Sequence, residues 1–317
     1  MAVIVGKAPG KIILFGEHAV VYGEPAIAIP VSKVKATARV FPDFDAQSGN
    51  IRVQAPDIGL EDNLYDLDTE NPLAAPIYLT LEKLGIKNIP PFTIQVSSTI
   101  PLSAGMGSGA AVAVAMVRAV SSFLGRPLPD SVVAELSYEV EKIHHGTPSG
   151  IDNNVVTYGK PVYYVQGKPI EFLEVKQPTH WLIADTGEKT PTFETVSDVR
   201  KRQAADPQAY HEIFTKIGET TCKARDALID GDLGYLGLLL NENQELLQRL
   251  DVSSPKIENL VHAAIDAGAP GAKLSGGGRG GNTIALVSPS QIDAVTSALI
   301  EAGAVNIIST MLSKESD

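Results

Sequence analysis

The sequence has a single cysteine, Cys222, among its 317 residues, and only one tryptophan. One thiol excludes an intrachain disulfide and any cysteine-rich zinc site. We interpret Cys222 as a small buried residue on a helix.

The sequence also lacks an excess of positive charge and a long apolar run. Lysine and arginine total 26 against 37 aspartate and glutamate residues, which gives a formal net charge of −11. This charge argues against nucleic acid or an anionic membrane as a partner. No stretch reaches the roughly 18 apolar residues of a membrane span, and the N-terminus lacks the features of a secretory signal. We therefore expect a cytoplasmic protein.

The length of the chain favours two domains, because one hydrophobic core seldom serves more than about 300 residues. Short β-type runs dominate the first hundred residues, and helices are predicted at residues 72–84, 109–124 and 130–145. The last third alternates in the order β-α-β-α-β, which indicates an α+β class with an open sandwich. We place the domains at residues 1–175 and 176–317.

A glycine-spaced segment leads directly into an apolar helix. Residues 101–110 read Pro-Leu-Ser-Ala-Gly-Met-Gly-Ser-Gly-Ala, and an alanine- and valine-rich run follows. Gly105, Gly107 and Gly109 permit positive φ and close backbone approach, while the unpaired N–H groups and positive dipole end of the helix face the same point. A polyphosphate would satisfy both features, and an ordinary strand-to-helix turn is the alternative.

The form of this loop excludes two common nucleotide-binding motifs. No lysine follows the glycines, as a P-loop requires, and the acidic residue of a dinucleotide fingerprint is missing. Because the net charge of the chain repels a nucleotide, attraction must be local, from backbone amides, a few lysines and a divalent cation. The nucleotide hypothesis therefore implies Mg²⁺.

A second candidate site lies near the N-terminus, where Lys11, Glu17 and His18 stand among short apolar segments and glycines. Lys11 alone would be typical of a solvated strand end, since its long side chain can keep the ammonium group in water. Three chargeable groups in one apolar stretch favour a site.

Two more segments carry candidate residues. Glu141 and His145 lie one helical turn apart, but the His-Glu-x-x-His pattern of zinc proteases is absent. Asp152 follows a Pro-Ser-Gly turn, where an Asx turn is the alternative to a functional carboxylate. Residues 276–281 contain five glycines. We interpret them as a close backbone approach to a ligand rather than as a flexible linker.

Together these segments resemble the motifs of the GHMP superfamily (galactokinase, homoserine kinase, mevalonate kinase and phosphomevalonate kinase), most closely those of the mevalonate kinases. Gly-Glu-His-Ala-Val-Val-Tyr-Gly at residues 16–23 resembles the first motif, and residues 101–110 resemble the ATP loop. Residues 145–153 resemble the segment with the catalytic aspartate, and residues 273–281 resemble the C-terminal glycine motif. The resemblance spans essentially the full chain.

The resemblance implies the GHMP kinase fold. That fold has a β-rich, ribosomal-protein-S5-like N-terminal domain with a left-handed β-α-β crossover, against the usual right-handed rule, and a ferredoxin-like C-terminal domain. It also implies ATP-dependent phosphorylation of the mevalonate 5-hydroxyl in isoprenoid biosynthesis, with Mg²⁺ and with dimerisation as in many relatives. Another GHMP small-alcohol or sugar kinase, or a catalytically silent sensor of ATP and a metabolite, are the alternatives.

Matching positions imply individual roles. Asp152 resembles the catalytic base, and Lys11 resembles the cation that polarises the substrate hydroxyl. Glu141 resembles the carboxylate that holds Mg²⁺, and Ser108 is the second candidate metal ligand. The implied substrate-binding residues are Lys11, Glu17, His18, Ser149, Asp152 and Gly277. The implied ATP-binding residues are Pro101, Leu102, Ser103, Ala104, Gly105, Met106, Gly107, Ser108, Gly109 and Ala110.

Two positions depart from the family pattern. Gly109 stands where relatives have a second serine that binds magnesium, so Ser108 or water would have to replace that ligand. Arg279 interrupts the last glycine run, and either a phosphate contact or simple exposure to solvent would explain it.

Overall fold

The structure is a computed structural model that describes residues 3–101, 105–145, 148–188 and 192–314, without the side chains of residues 144, 145 and 192. The strands are β1 (Ile4–Phe15), β2 (Ala26–Pro42), β3 (Ile51–Ala55), β4 (Leu60–Asn63), β5 (Phe92–Ser98), β6 (Val162–Tyr164), β7 (Glu171–Phe172), β8 (Thr179–Asp185), β9 (Gly271–Ser275), β10 (Asn282–Val287) and β11 (Asn306–Leu312). The helices are α1 (Ala75–Leu84), α2 (Ser108–Phe123), α3 (Asp130–His145), α4 (Ile151–Tyr158), α5 (Thr192–Ala205), α6 (Pro207–Asp230), α7 (Leu233–Arg249), α8 (Pro255–Asp266) and α9 (Ile292–Glu301). Within the described ranges, none of these helices has the length and hydropathy that a membrane crossing requires.

The chain divides into two compact units, each built from several separate segments. The chain passes from one unit to the other inside β1, inside β2, twice in the segment before α2, and after α4. The first unit comprises Met1–Gly10, Val34–Pro101 and Gly107–Gly159. The second unit comprises Lys11–Lys33, Leu102–Met106 and Lys160–Asp317. A single domain boundary at residue 175 stays a prediction.

In the first unit, a mixed sheet carries a layer of four helices. β5 pairs in parallel with β3 and antiparallel with the second half of β2, and β4 lies on the other side of β3. Ile94 and Val96 on β5 are buried and alternate with partly exposed neighbours, as in a strand with one face on the core. Helices α1 to α4 pack against one another.

Helix α2 is apolar on nearly every side and is largely buried. Its small side chains allow β1 to come very close: a Cβ placed on Gly6 would lie 2.0 Å from the carbonyl oxygen of Ala115. Only glycine fits at such a distance. The position of α2 is therefore fixed by direct contact with the backbone of β1.

In the second unit, β10 pairs antiparallel with both β8 and β9, and β11 pairs antiparallel with β8. The resulting sheet order is β11-β8-β10-β9. Numbered along the chain, these strands lie in the order fourth, first, third, second, which is the ferredoxin-like arrangement. Buried residues of the sheet, such as Leu182 and Ala285, pack with Leu247 and Leu260 of the helices in one core. The predicted ferredoxin-like C-terminal domain is confirmed.

The structure differs from the sequence prediction in some elements. Helices α4 and α5 are not among the helices predicted from the sequence, and the polar helix α5 has no clear apolar stripe. Two of the short β-type runs in the first hundred residues, at residues 26–29 and 35–40, belong to one strand, β2. Pro30 lies between the part that pairs with β6 and the part that pairs with β5, where its missing N–H costs no bond in either pairing.

The expectation that Cys222 is buried is wrong. Helix α6 directs Thr221 and Ala224 towards the core, and Cys222 lies on the exposed face. Its Sγ atom is 3.3 Å from the hydroxyl oxygen of Tyr163.

Candidate active site

The glycine-spaced loop ends where α2 begins. Gly107 is the N-cap residue with φ 70°, and Gly105 has φ 66°, so both adopt the left-handed conformation expected from the sequence. The first backbone bond of the helix runs from the Ala111 N–H to the Gly107 carbonyl at 2.9 Å. The N–H groups of the three preceding helical residues have no partner within the helix and carry its positive dipole end.

The other residues of the loop at 101–110 differ in their burial. Pro101, half-buried, precedes the loop, and Met106 and Ala110 are buried. Leu102, Ser103 and Ala104 lie outside the described residues. Apart from Gly109, its two chain neighbours and the adjacent backbone of α2, no atom of the described residues lies within 4 Å of the position that a Cβ would take at Gly109. The start of α2 is therefore a short row of backbone donors with open space around Gly109.

Glu141 belongs to the same region of the first unit. The Ser137 hydroxyl donates to the Ala110 carbonyl at 3.5 Å, which places this part of α3 beside the first turn of α2. Glu141 is one turn further along the same face of α3 and is 9% exposed. Its carboxylate therefore lies at the end of α3 that is close to the start of α2.

These residues fit a magnesium ion that is shared with a nucleotide. Described residues contain no group of three histidine, cysteine, aspartate or glutamate side chains that would hold a metal alone. Mg²⁺ usually takes one or two protein oxygens and completes its octahedron with phosphates and water. The Glu141 carboxylate and the half-buried Ser108 hydroxyl are oxygen ligands of this kind.

Asp152 lies in the first turn of α4, which begins after Gly150 with φ 86°. Ser149 precedes that turn, and its hydroxyl oxygen accepts the Ile151 N–H at 3.4 Å. The neighbouring Asn153 donates from Nδ2 to the Ala134 carbonyl of α3 at 3.0 Å. Asp152 therefore stands on a helix that is tied to α3, not in an irregular turn.

In the second unit, the structure brings Glu17 together with Lys273 of β9. Lys273 donates from Nζ to Glu17 Oε1 and to the Leu274 carbonyl, and both side chains are almost completely buried. Burial raises the pKa of Glu17, while the positive charge of Lys273 opposes this shift. Burial also lowers the pKa of Lys273. Among described residues, Glu17 Oε2 has no hydrogen-bond partner.

His18 and Gly277 also meet in this unit. The His18 ring nitrogen Nε2 lies 3.0 Å from the Gly277 carbonyl oxygen. Burial lowers the pKa of His18 to about 4, so the ring is neutral at pH 7. Since a carbonyl can only accept, Nε2 carries the proton and Nδ1 carries the lone pair. His18 has φ 61°, an uncommon conformation for a residue with a side chain.

Lys11 is 4% exposed, so the alternative of a solvated strand end is wrong. Its backbone N–H donates to the Met106 carbonyl at 3.0 Å, which connects β1 to the residue that precedes the α2 N-cap. This bond lies within the second unit.

The contacts of two residues in the second unit were not predicted from the sequence. Lys273 was quoted only as part of the glycine motif, although a lysine within a fully buried strand is itself a signal of a paired charge. Arg279 does not simply face solvent: its guanidinium contacts Asp198 at 2.8 Å and Asp251 at 3.4 Å. The backbone N–H of Arg279 donates to the Val252 carbonyl at 2.7 Å, so Arg279 anchors the glycine-rich turn.

Comparison with known proteins now identifies the family. Models described as GHMP kinases N terminal domain and GHMP kinases C terminal match residues 73–160 and 224–305. A mevalonate kinase of Pyrococcus horikoshii is 38% identical, over 98% of this chain and 96% of that protein. The chain belongs to the GHMP kinase family.

Solved structures of GHMP kinases agree with this assignment. L. major mevalonate kinase in complex with R-mevalonate has a TM-score of 0.83 at 30% identity, over 99% of this chain and 96% of that one. Methanococcus jannaschii mevalonate kinase has a TM-score of 0.83 at 28% identity, over 98% of both chains. The resemblance and the GHMP kinase fold expected from the four motifs are confirmed.

The buried ion pair predicts a large difference between two lysine substitutions. Lys273→Met leaves the Glu17 carboxylate buried without its partner and should lower the free energy of unfolding by about 3–5 kcal/mol. The double variant Lys273→Met/Glu17→Leu removes both charges and should recover most of this loss. Lys176→Met is the control, because its ion pair with Asp230 is exposed and should contribute less than about 1 kcal/mol. Denaturant unfolding measures all three, and equal losses for both lysines would contradict the prediction.

The lowered pKa of His18 predicts an acid-dependent loss of stability. The unfolded chain takes up a proton near pH 6.5, whereas the folded protein does not until about pH 4. The contribution of neutral His18 to the free energy of unfolding is therefore fully present above pH 6.5. It is lost as the pH falls to about 4, and the total loss is about 3 kcal/mol. His18→Asn tolerates positive φ and removes the titrating ring. Between pH 7 and pH 4, the free energy of unfolding should fall less steeply with pH for this variant than for the wild type. The same pH dependence in both proteins would refute the assignment.

Proposed function

We propose that this protein transfers the γ-phosphoryl group of ATP to the 5-hydroxyl of mevalonate. The observation that carries the proposal is the similarity to mevalonate kinases along nearly the whole chain, including a structure with bound R-mevalonate. The phosphate loop at the start of α2 supports the use of a nucleotide, because backbone donors and a helix dipole suit a polyphosphate. A cytoplasmic location and a homodimer remain expectations from the sequence.

In this proposal, Asp152 is the base. Its carboxylate accepts the proton of the 5-hydroxyl while that oxygen forms a bond to the γ-phosphorus. The bond between the γ-phosphorus and the bridging oxygen of ADP breaks in the same displacement, and ADP leaves with the electron pair. The position in the first turn of α4, which Asn153 ties to α3, holds the carboxylate at a defined place.

Lys11 is the proposed cation near the reacting hydroxyl. Because its side chain is buried, the ammonium group acts in surroundings that weaken its charge far less than water does. The charge favours loss of the hydroxyl proton and offsets the negative charge on the transferring group. Its backbone bond to Met106 keeps the strand and the loop residue in register.

Mg²⁺ would be held by Glu141 and Ser108, whose oxygens fit the ion as described. When bound, the ion neutralises charge on the β- and γ-phosphates. Gly109 provides no side-chain ligand, so this chain offers one fewer hydroxyl at the start of α2 than the serine pattern of the family would. The backbone N–H groups of that turn bind phosphate oxygens directly.

Glu17, His18 and Gly277 of the second unit are proposed to bind mevalonate, and the family resemblance assigns the same role to Ser149 of the first unit. His18 is neutral and donates through Nε2 to Gly277, so its Nδ1 is an acceptor for a substrate hydroxyl. The ion pair with Lys273 fixes Glu17 through one oxygen and leaves Oε2 as an acceptor. Both groups are set before the substrate arrives, which limits the entropy that binding must remove.

The test is ADP release from Mg-ATP with mevalonate, phosphomevalonate, homoserine or galactose. We expect turnover on mevalonate alone, and a kcat that is at least about 10²-fold lower in Asp152→Asn. Asp62→Asn is the matched control, because this aspartate is exposed on β4 of the same unit. Full activity of Asp152→Asn would exclude the base. Turnover only on another of these alcohols would identify that alcohol as the substrate instead of mevalonate. No turnover on any of the four would favour a catalytically silent sensor.

A further inference from the structure

Arg118 on α2 makes contacts with three other elements of the first unit. Its NH1 group donates to the Lys7 carbonyl of β1 at 2.9 Å. Its NH2 group donates to Asp130 Oδ1 at 2.7 Å and to the Thr157 carbonyl at 2.5 Å. One guanidinium therefore joins α2 to the first residue of α3 and to the last turn of α4.

These contacts suit arginine for physical reasons. Thr157 is in the last turn of α4, where carbonyls have no partner within the helix and carry its negative dipole end. Asp130 is the first residue of α3, where the positive end of that helix favours a carboxylate. A planar guanidinium with five donors can serve several acceptors at once, whereas a lysine ammonium cannot hold the same geometry.

The hydrogen bonds between helices α2, α3 and α4 give their relative directions. Ala110 of α2 contacts Ser137 of α3, and Arg118, two turns later, contacts Asp130, about two turns earlier. Helices α2 and α3 are therefore antiparallel. In the same way, Asn153 of α4 contacts Ala134, and Thr157 and Asp130 share Arg118, so α3 and α4 are antiparallel too.

It follows that α2 and α4 run in the same direction and begin at the same end of the helix layer. The phosphate loop precedes the start of α2, and Asp152 lies in the first turn of α4. Arg118 ties together the other ends. Helix α4 has only eight residues. Asn153, next to Asp152, ties it to α3, and Arg118 holds the Thr157 carbonyl just over one turn beyond Asp152.

We propose that Arg118 is a positioning residue for phosphoryl transfer. It fixes the register of α4 against α2 and so sets the distance from the Asp152 carboxylate to a phosphate bound at the start of α2. This inference rests on the proposed function of Asp152. Displacement of a catalytic group by about 1 Å can reduce the rate by about 10²-fold, so a tether one turn away is enough to affect turnover.

The experiment compares Arg118→Met with Arg126→Met in the full-length protein. Arg126 follows the same helix and also donates to the carbonyl at a helix end, from NH1 to Leu84 of α1 at 3.2 Å, but it has no contact with α4 among the described residues. We expect kcat to fall about tenfold in Arg118→Met, with KM for Mg-ATP changed less than about twofold. Arg118→Lys should be intermediate, and Arg126→Met should match the wild type.

A second readout separates positioning from a general loss of structure. In the Asp152→Asn background, Arg118→Met should cause no further fall in the residual rate, because its effect acts through Asp152. Amide hydrogen exchange of residues 151–158 should be faster in Arg118→Met and unchanged in Arg126→Met. The exchange measurement does not depend on mevalonate turnover, so it remains valid if the proposed function fails.

Three results would overturn the proposal. The first is a wild-type kcat in folded Arg118→Met. The second is an equal fall in rate from Arg118→Met with and without Asp152. If Arg118→Met does not fold, Arg118→Lys decides the question. The third result would then be a wild-type kcat in Arg118→Lys together with unchanged amide hydrogen exchange in α4.

Discussion

The contact between β1 and helix α2 at Gly6 is the constraint on which the first unit depends. At this point the backbone of the strand lies so close to the Ala115 carbonyl that no side chain fits between them. The small and apolar residues of α2 make the contact possible and bury the helix. This contact sets the position of α2 and of the donor groups at its start, and α3 and α4 pack against the buried helix.

The second unit is distinguished by the burial of charged and polar side chains, away from water. Glu17, His18 and Lys273 are all buried. Isolation of any one charge would cost several kcal/mol, so the structure pairs Glu17 with Lys273 and keeps His18 neutral through its lowered pKa. Groups that are already held by hydrogen bonds lose little conformational freedom when a ligand binds to them. The same burial that reduces stability therefore prepares the proposed substrate pocket.

Short motifs with a mechanical reason could be predicted from the sequence. Glycines before an apolar run predict a phosphate loop, and the structure has the left-handed Gly105 and Gly107 at that place. The helix predicted at residues 130–145 is α3 with the same bounds, and helix α6 begins at Pro207 and ends before Gly231, as proline and glycine at these positions favour. The family resemblance came from four such motifs in order, and the ferredoxin-like sheet followed from the family.

Features that depend on distant partners could not be predicted. Lys273 and Glu17 are 256 positions apart, and no local pattern indicates that they meet. Arg118 is typical of a polar position on a helix, and its role appears only when the ends of α3 and α4 are placed beside it. Helix α4 is short and follows a Pro-Ser-Gly segment, so its sequence has strong turn residues and too few helical turns for a clear period.

The most direct test of the account is a crystal structure with a non-hydrolysable ATP analogue, Mg²⁺ and mevalonate bound. We expect phosphate oxygens within hydrogen-bonding distance of the backbone N–H groups that begin α2, and an Asp152 oxygen about 2.6–3.2 Å from the 5-hydroxyl of mevalonate. A triphosphate bound away from α2, or a 5-hydroxyl out of reach of Asp152, would contradict the account.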